Sequence, residues 1–200
     1  LKEQEKIQNK YRELNRNPLR EPYILFIGDS IVEYYPLQEL FLTDKYLVNR
    51  GIRGYKTDLL DHHLDAHIFG QVVDKVFLLI GTNDIGKEMP LSGTIDHMTS
   101  ILQEIARLLP LAQIKLLSVL PVNEGAIYKG TVYIRSNQKI QALNQAYRDL
   151  AEGMVNVEFI DVFDCLLGAD GQLKPAYTTD GLHLTIEGYR VLSERLQKEL

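Results

Sequence analysis

Two kinds of hydrophobic pattern alternate along the chain. Short apolar runs rich in β-branched and aromatic residues predict five strands, at Tyr23–Ile27, Tyr46–Val48, Val76–Ile80, Ile114–Val119 and Val157–Ile160. The runs are continuous rather than alternating, which is typical of strands buried on both faces. Strands that alternate with helical segments predict an α/β fold, with helices on both sides of a parallel sheet.

The segments between these strands have helical periodicity. Apolar residues three or four apart form three stripes: Ile95, Met98, Ile101, Leu102, Ile105 and Leu109; Ile140, Leu143, Tyr147 and Leu150; and Tyr189, Leu192, Leu196 and Leu200. The charged segment Leu1–Arg16 predicts an extra helix within residues 1–20, for which packing on the domain, dimerisation and fraying all stay open. No repeat or linker divides the chain, so we expect one domain over residues 1–200.

Composition narrows the class of protein. A chain of 200 residues with 45% hydrophobic residues can bury one core. The net charge is -5 and there is no basic block, which argues against a nucleic-acid partner. The single cysteine, Cys165, excludes an intrachain disulfide and is interpreted as an inert buried thiol.

Targeting signals are sparse in this sequence. No apolar run approaches the roughly 20 residues that span a bilayer, and the polar N-terminal segment lacks the apolar stretch of a signal peptide. These features favour the cytoplasm, while secretion stays open because the chain begins at Leu rather than Met.

Small and polar residues follow the predicted strands where ligands bind in parallel sheets, at the carboxyl ends. They are Gly28-Asp29-Ser30 after the first strand, Gly51 and Gly54 after the second, Gly81-Thr82-Asn83-Asp84 after the third, and Asp180 and His183 beyond the fifth. Each motif alone is also typical of a turn or a helix cap. Their occurrence together at the carboxyl edge of the sheet favours a functional site.

Together these residues fit acyl transfer. A serine hydroxyl such as that of Ser30 needs a neighbouring base, and histidine, whose unperturbed pKa is near neutral, is suited to the task. Asp180 precedes His183 by three residues, which places both on one face of a helical turn. The amide of Ser30, a glycine amide after the second strand and the Asn83 side chain would donate to the oxyanion.

The same blocks resemble the four blocks of the GDSL (SGNH) hydrolases, in order and approximate spacing, from about Tyr23 to the C-terminus. The branch they most resemble is that of platelet-activating-factor acetylhydrolases. The resemblance implies Ser30 as nucleophile, His183 and Asp180 as base and acid, and an oxyanion hole of Ser30, Gly54 and Asn83. Gly51 competes with Gly54, which we favour because it directly precedes the Tyr55-Lys56-Thr57 entry to a helix.

The resemblance also implies a fold and a chemistry. The expected fold is a three-layer α/β/α sandwich around a five-stranded parallel sheet of flavodoxin-like order 2-1-3-4-5. We expect no cofactor and no metal. The expected substrate is a small ester with an acetyl or short acyl group, and lipid-like and carbohydrate esters both stay open, as does a homodimer. Ile31 stands where the family has leucine, at a position of packing.

Other residues are interpreted more conservatively. His62, His63 and His67 are expected on a polar helix face and not at a metal site, although the last two have the i,i+4 spacing of a zinc ligand pair. Asp29 and Asp84 are expected to hold turns. Aromatic and apolar side chains that line a substrate pocket or simply pack are Tyr34, Tyr35, Ile127, Tyr128 and Tyr133, the last three within the long connection Pro121–Tyr133.

Two alternatives remain at this stage. A metal-dependent phosphoesterase would use hard ligands at the same sheet edge, namely Asp29, Asn83, Asp84, Asp180 and His183. A non-catalytic binding domain of flavodoxin-like shape would show neither turnover nor covalent labelling of Ser30.

Overall fold

The five predicted strands form one sheet in the computed structural model, which describes residues 2–17, 20–68 and 72–200. The strands are β1 (Tyr23–Gly28), β2 (Tyr46–Gly51), β3 (Val73–Leu79), β4 (Gln113–Leu117) and β5 (Val157–Ile160). Every neighbouring pair is parallel, and the order is β2-β1-β3-β4-β5. The α/β class and the flavodoxin-like order are therefore confirmed.

Helices cover both faces of this sheet. They are α1 (Lys2–Leu14), α2 (Ser30–Glu33), α3 (Leu37–Leu40), α4 (Thr57–His62), α5 (Thr82–Gly86), α6 (Leu91–Leu108), α7 (Lys129–Val132), α8 (Asn137–Glu152) and α9 (Ile186–Leu196). The three helical stripes of the sequence lie on α6, α8 and α9, except for Leu109 and Leu200, which follow the ends of α6 and α9. Across the described residues, none of the helices combines the length and the apolar character needed to cross a membrane.

Two hydrophobic layers explain why the strand patterns are continuous. From β1, Leu25 and Ile27 point into the layer formed with α1, α4, α6 and α8, whereas Ile24 and Phe26 point into the layer formed with α2, α3 and α9. The Phe26 ring stacks on that of Phe77, with 4.6 Å between centroids. Burying a Leu or Phe side chain contributes about 1.5–3 kcal/mol, so both faces of β1 must be apolar.

The charged N-terminal segment packs on the domain through α1. The predicted helix begins at Leu1, which lies outside the described residues, as do residues 18 and 19 of the region 1–20. Tyr11 is buried in the same layer as α4, and Arg12 pairs with Asp65 at 2.9 Å. Of the three roles that the sequence left open for this helix, packing on the domain is therefore one that it fulfils.

The strand order determines where chemistry can take place. Because β1 lies between β2 and β3, the carboxyl ends of these three strands are neighbours, about 4.8 Å apart from strand to strand. The segments that follow them, α2, the loop before α4, and α5, consequently meet at one edge.

Candidate active site

A cleft of about 330 Å³ opens at this edge of the sheet. It is lined by Ser30, Tyr34, Arg53, Gly54, Asn83, Thr131, Arg135, Leu182 and His183. Four of the five residues that the sequence analysis assigned to a site therefore line the same cleft. The fifth, Asp180, lies behind His183.

Ser30 is held at the mouth of the cleft by a sharp turn from β1 into α2. Asp29 caps that helix, and its Oδ1 accepts the Ile31 amide at 2.9 Å. The turn requires Gly28, because a Cβ there would lie 2.1 Å from the carbonyl oxygen of Leu79. Ser30 is 8% exposed, so its hydroxyl faces the cleft from an otherwise buried position.

Asp29 itself is almost completely buried beneath Ser30. Burial raises the pKa of its carboxyl to about 7, and the Ile31 amide and the charges of His183 and Arg135 lower it only in part. The hydrogen bond that Asp29 accepts from the Ile31 amide agrees with the expectation that Asp29 holds the turn. The same expectation is wrong for Asp84. Its carboxylate accepts from the Thr57 amide at 3.1 Å, the Thr57 hydroxyl at 2.6 Å and the Thr94 hydroxyl at 3.2 Å, so it joins α5 to α4 and α6.

A chain of two hydrogen bonds joins Ser30 to His183 and His183 to Asp180. The Ser30 Oγ lies 3.0 Å from His183 Nε2, and His183 Nδ1 lies 2.7 Å from Asp180 Oδ2. A carboxylate can only accept a hydrogen bond, so with ionised Asp180 the proton of a neutral imidazole is assigned to Nδ1. Nε2 is then free to accept the proton of the Ser30 hydroxyl.

The contact between Asp180 and His183 does not arise from a helical turn, so this part of the sequence prediction is wrong. The segment is a loop before α9 in which Asp180 Oδ1 accepts two backbone amides, of Leu182 at 3.0 Å and of His183 at 2.8 Å. Gly181 has a φ of +88°, which reverses the chain within this turn. The Asp side chain bonds to the backbone of its own turn, and this brings the imidazole over Oδ2.

These bonds keep Asp180 ionised at neutral pH. Partial burial raises the pKa of the carboxyl, but the hydrogen bonds from the His183 ring and from the two amides outweigh it and leave the pKa below its ordinary value. Thr178 supports the same loop from outside, since its hydroxyl donates to the His183 carbonyl oxygen at 2.7 Å.

The loop after β2 brings Gly54, and not Gly51, to the cleft. Gly54 has a φ of +74°, a conformation that favours glycine, and it lines the cleft in the loop before α4. Gly51 lies at the end of β2, where a Cβ would come within 2.2 Å of the Glu33 amide nitrogen. The close approach of this strand end to α2 therefore explains why residue 51 is a glycine.

Asn83 lies in the first turn of α5 with both ends of its side-chain amide engaged. Its Nδ2 donates to the Tyr55 carbonyl oxygen at 3.0 Å, and its Oδ1 accepts from Arg135 Nη2 at 3.0 Å. Nδ2 carries a second hydrogen. Because Asn83 lines the cleft, this second hydrogen is available for a ligand there.

Arg135 lines the cleft, although the sequence analysis did not assign it to the site. Its guanidinium also donates to the carbonyl oxygens of Thr82 at 2.9 Å and Thr131 at 3.0 Å. Two residues before it, Tyr133 has a φ of +57°, where the chain turns back from α7 towards α5. A non-glycine residue in this region is strained, and such strain clusters at functional sites. No local sequence pattern predicts the contact between Arg135 and Asn83.

The candidate pocket residues divide between the cleft and ordinary packing. Tyr34 lines the cleft, with its ring centroid 6.1 Å from that of His183. Tyr35 is buried and its hydroxyl lies 2.7 Å from the Ser193 hydroxyl. Ile127 and Tyr133 are exposed, and Tyr128 packs against Gly181. The connection Pro121–Tyr133 reaches the cleft through Thr131 instead.

The histidines after β2 do not share a polar helix face, so that prediction is wrong for His67. His62 ends α4, whereas His67 follows a further turn and is buried, with Nδ1 2.9 Å from the Arg50 carbonyl oxygen. Burial lowers the pKa of His67 to about 3. Cys165 is half-buried, and burial raises the pKa of its thiol to about 11, in keeping with an unreactive thiol.

The ligand set of the phosphoesterase alternative does not converge. Among the residues that the structure describes, no three His, Cys, Asp or Glu side chains are placed to hold one metal ion. Asp29, Asp84 and Asp180 bond instead to Ile31, to Thr57 and Thr94, and to His183.

Comparison with known proteins identifies the family of the chain. Residues 26–191 match the model of the GDSL-like lipase/acylhydrolase family. The chain belongs to this family. It is therefore a hydrolase of the GDSL esterase/lipase type. The matched residues include both Ser30 and His183, and they begin after α1.

Several relatives cover most of the chain. It is 28% identical over 184 residues to platelet-activating factor acetylhydrolase IB subunit alpha2 of Rattus norvegicus, covering 90% of this chain and 76% of that protein. It is 29% identical over 175 residues to N-acylneuraminate cytidylyltransferase of Escherichia coli, covering 86% of this chain. The match spans only 39% of that longer relative.

One solved structure is more similar in sequence to this chain than these two relatives are. A protein from Streptococcus pneumoniae, which carries the provisional name of a platelet activating factor, is 62% identical and superposes with a TM-score of 0.97. The match covers 99% of this chain and 92% of that one, so the similarity includes α1 as well as the part that matches the family.

Proposed function

We propose that this hydrolase cleaves small carboxylic esters through an acyl-enzyme on Ser30. The observation that carries the proposal is the hydrogen-bonded chain from the Ser30 hydroxyl through His183 to Asp180, with bonds of 3.0 and 2.7 Å. A serine hydroxyl with its base and an orienting carboxylate in this arrangement is the requirement for nucleophilic acyl transfer.

In the proposed acylation, Ser30 Oγ attacks the ester carbonyl carbon while His183 Nε2 takes the hydroxyl proton. The tetrahedral intermediate collapses as the bond to the alcohol oxygen breaks, and His183 returns the proton to that leaving oxygen. Water then attacks the acyl-enzyme, again giving its proton to His183, which passes it to Ser30 Oγ as the acid leaves. Asp180 holds the imidazole tautomer and stabilises its cation throughout.

The proposed oxyanion hole consists of the Ser30 and Gly54 amides and Asn83 Nδ2. Both glycine and asparagine line the cleft beside Ser30. Among the hydrogen bonds of the described residues, neither the Ser30 nor the Gly54 amide donates to a protein acceptor. Both amides are thus available for an oxygen that becomes negative in the transition state.

The cleft supports a short acyl group on a polar alcohol. Its apolar lining is limited to groups such as Leu182 and the Tyr34 ring, while Arg53 and Asn83 present polar groups. A separate apolar cavity of about 240 Å³, between α5, α6 and α8, shares no lining residue with the cleft. A relative is also named for the hydrolysis of an acetyl group.

The test is covalent labelling combined with turnover. A fluorophosphonate should add one adduct, on the peptide that contains Ser30, and Ser30→Ala should lose both the adduct and the hydrolysis of an acetyl ester. Ser92→Ala, at an exposed serine on α6, should retain both. Full activity in Ser30→Ala would overturn the proposal.

Two further outcomes would support the alternatives. Loss of wild-type activity on chelation, restored by a divalent metal, would favour the phosphoesterase. Absence of both turnover and labelling in folded wild-type protein would favour a binding domain.

A further inference from the structure

Helix α1 lies outside the part of the chain that matches the family, yet it contacts the loop that carries Gly54. Gln4 Nε2 donates to the Arg53 carbonyl oxygen at 3.0 Å. One turn further along, Gln8 Nε2 donates to the Tyr55 hydroxyl at 2.7 Å. The contact with α1 therefore extends along the segment on both sides of Gly54.

The Gln4 bond acts on the peptide group that contains the Gly54 amide. The carbonyl of Arg53 and the N–H of Gly54 belong to one planar trans peptide unit, so they point in opposite directions. A donor that holds the carbonyl oxygen towards α1 consequently turns the N–H away from α1. Gly54 lines the cleft, whereas none of the described residues of α1 does, and Gln4 lines a different pocket. An N–H turned away from α1 is therefore the one that an oxyanion in the cleft needs.

The Arg53–Gly54 unit is the central peptide of a β-turn that the Tyr55 amide closes on the Ile52 carbonyl oxygen at 3.2 Å. Such a turn can close with its central peptide in either of two opposite orientations, types I and II. The Gln4 bond holds the orientation that is observed. Gly54 has no Cβ and a φ of +74°, so sterics restrict it weakly. A Cβ at Gly54 would lie 2.8 Å from Gln4 Nε2, which shows how closely the side chain approaches. The neighbouring unit is held separately, since the Arg53 amide donates to Glu33 Oε1 at 3.1 Å.

The rest of α1 is anchored so that Gln4 stays in place. The Tyr11 hydroxyl donates to the Gly51 carbonyl oxygen, and Arg12 binds Asp65 through both Nε and Nη2. A hydrogen bond to the carbonyl also polarises the peptide group and strengthens its N–H as a donor.

We propose that Gln4 is a positioning residue for ester hydrolysis, which orients the Gly54 amide towards the oxyanion. This rests on the proposed function, because it requires the Gly54 amide to be an oxyanion donor. Gln4 itself does not line the cleft.

The decisive comparison is between Gln4→Met and Lys6→Met. Methionine matches glutamine in length but cannot donate a hydrogen bond. Lys6 is exposed on the same helix, and no hydrogen bond or ion pair of its side chain occurs among the described residues. Loss of a whole oxyanion donor typically lowers kcat by about 10²–10³. A donor that is only misoriented should cost less, and we expect kcat of Gln4→Met to fall about 3- to 30-fold.

The effect should be confined to the transition state. KM should stay within about twofold, because the oxyanion forms only as the intermediate does. As a second readout, the Gly54 amide proton should shift downfield in wild-type protein when a phosphonate on Ser30 mimics the intermediate, and this shift should shrink in Gln4→Met. Lys6→Met should match the wild type in both measurements.

Equal kcat in Gln4→Met and wild type, an equal loss in both variants, or an unchanged Gly54 shift would overturn the inference. These outcomes leave labelling of Ser30 and wild-type turnover intact. Failure of the proposed function would instead remove labelling or turnover from the wild type itself.

Discussion

Arg135 donates from Nη2 to Oδ1 of Asn83 at 3.0 Å, across 52 residues of sequence. This bond identifies Oδ1 as the acceptor end of the side-chain amide, which directs Nδ2 towards Tyr55 and the cleft. A charge-assisted hydrogen bond is stronger than a neutral one, so the amide is held against rotation.

We predict that Arg135→Ala lowers kcat about tenfold through Asn83, because the freed amide can rotate and present Oδ1 to the oxyanion. Removing Asn83 alone should lower kcat by about 10²–10³. In the Asn83→Ala background, Arg135→Ala should then have little further effect on kcat. The measurement is a double-mutant cycle on kcat, with melting temperatures of all four proteins. Additive losses would contradict the prediction.

Lysine at position 135 should substitute poorly. It retains the charge, but a single ammonium cannot reproduce the planar fork that now reaches Thr82, Asn83 and Thr131. We expect kcat of Arg135→Lys to lie nearer to that of Arg135→Ala than to that of the wild type.

Asp180→Asn should damage the rate far more than the fold. The asparagine Oδ1 can still accept the amides of Leu182 and His183, which preserves the turn. Its Nδ2 would face His183 Nδ1 as a donor, favouring the tautomer in which Nε2 carries the proton and cannot accept one from Ser30. We expect kcat to fall by up to about 10⁴ while the melting temperature changes by only a few degrees. A large loss of stability with normal kcat in the folded fraction would contradict this.

The pH dependence of stability should carry the signature of Asp29. Burial raises the pKa of this carboxyl to about 7 in the folded protein, whereas an unfolded chain releases the proton near pH 4. Between these values the folded state binds more protons, so this contribution to stability is complete below about pH 4 and is lost as pH rises to about 7. The pKa of Asp180 is lowered instead, so its contribution to stability rises with pH, and this change occurs only below about pH 4.

Asp29→Asn should remove that loss. The melting temperature of the variant, measured against that of the wild type, should therefore rise steadily from pH 5 to pH 7. Asp44→Asn, at an exposed carboxylate, serves as the control and should follow the wild type. Parallel curves for the wild type and Asp29→Asn would show that the buried carboxyl titrates normally.

Acyl-chain length should distinguish a short-chain esterase from a lipase. We expect kcat/KM to be highest for acetyl esters and to fall through butyryl to octanoyl esters of one alcohol, because the cleft offers little apolar surface beyond Leu182 and Tyr34. A steady rise out to octanoyl would show that longer chains find an apolar surface outside the cleft.

The sequence patterns predicted the site residues at the carboxyl edge of the sheet better than the residues that hold them in place. Ser30, Asn83 and His183 follow strands or stand in short motifs, so their residue types and order along the chain were informative. The strand order came from the resemblance to a family, since periodicity does not specify which strands are neighbours. The i,i+3 spacing of Asp180 and His183 was informative about contact but misleading about conformation, because an Asp side chain can form the same contact in a turn.

Arg135 and Gln4 could not be found in the same way. Each looks like an ordinary polar residue in its own segment, and each acts on a backbone or side chain about 50 positions away. Such pairs exist only once the sheet has brought distant loops together. His67 was missed for a related reason, since its burial against Tyr11 depends on the docking of α1.

In the proposed role of Gln4, catalysis depends on how firmly α1 is held against the rest of the domain. Single elements of a fold can open locally at free energies well below that of global unfolding. If the contact of α1 with Arg53 opens on warming, kcat should decline at temperatures where the sheet and Ser30 are still intact. Activity and circular dichroism measured over one temperature ramp should then give two separate midpoints, activity first, and Gln4→Met should bring them together. Warming would thus switch off the enzyme reversibly through the contact of one helix, before its core unfolds.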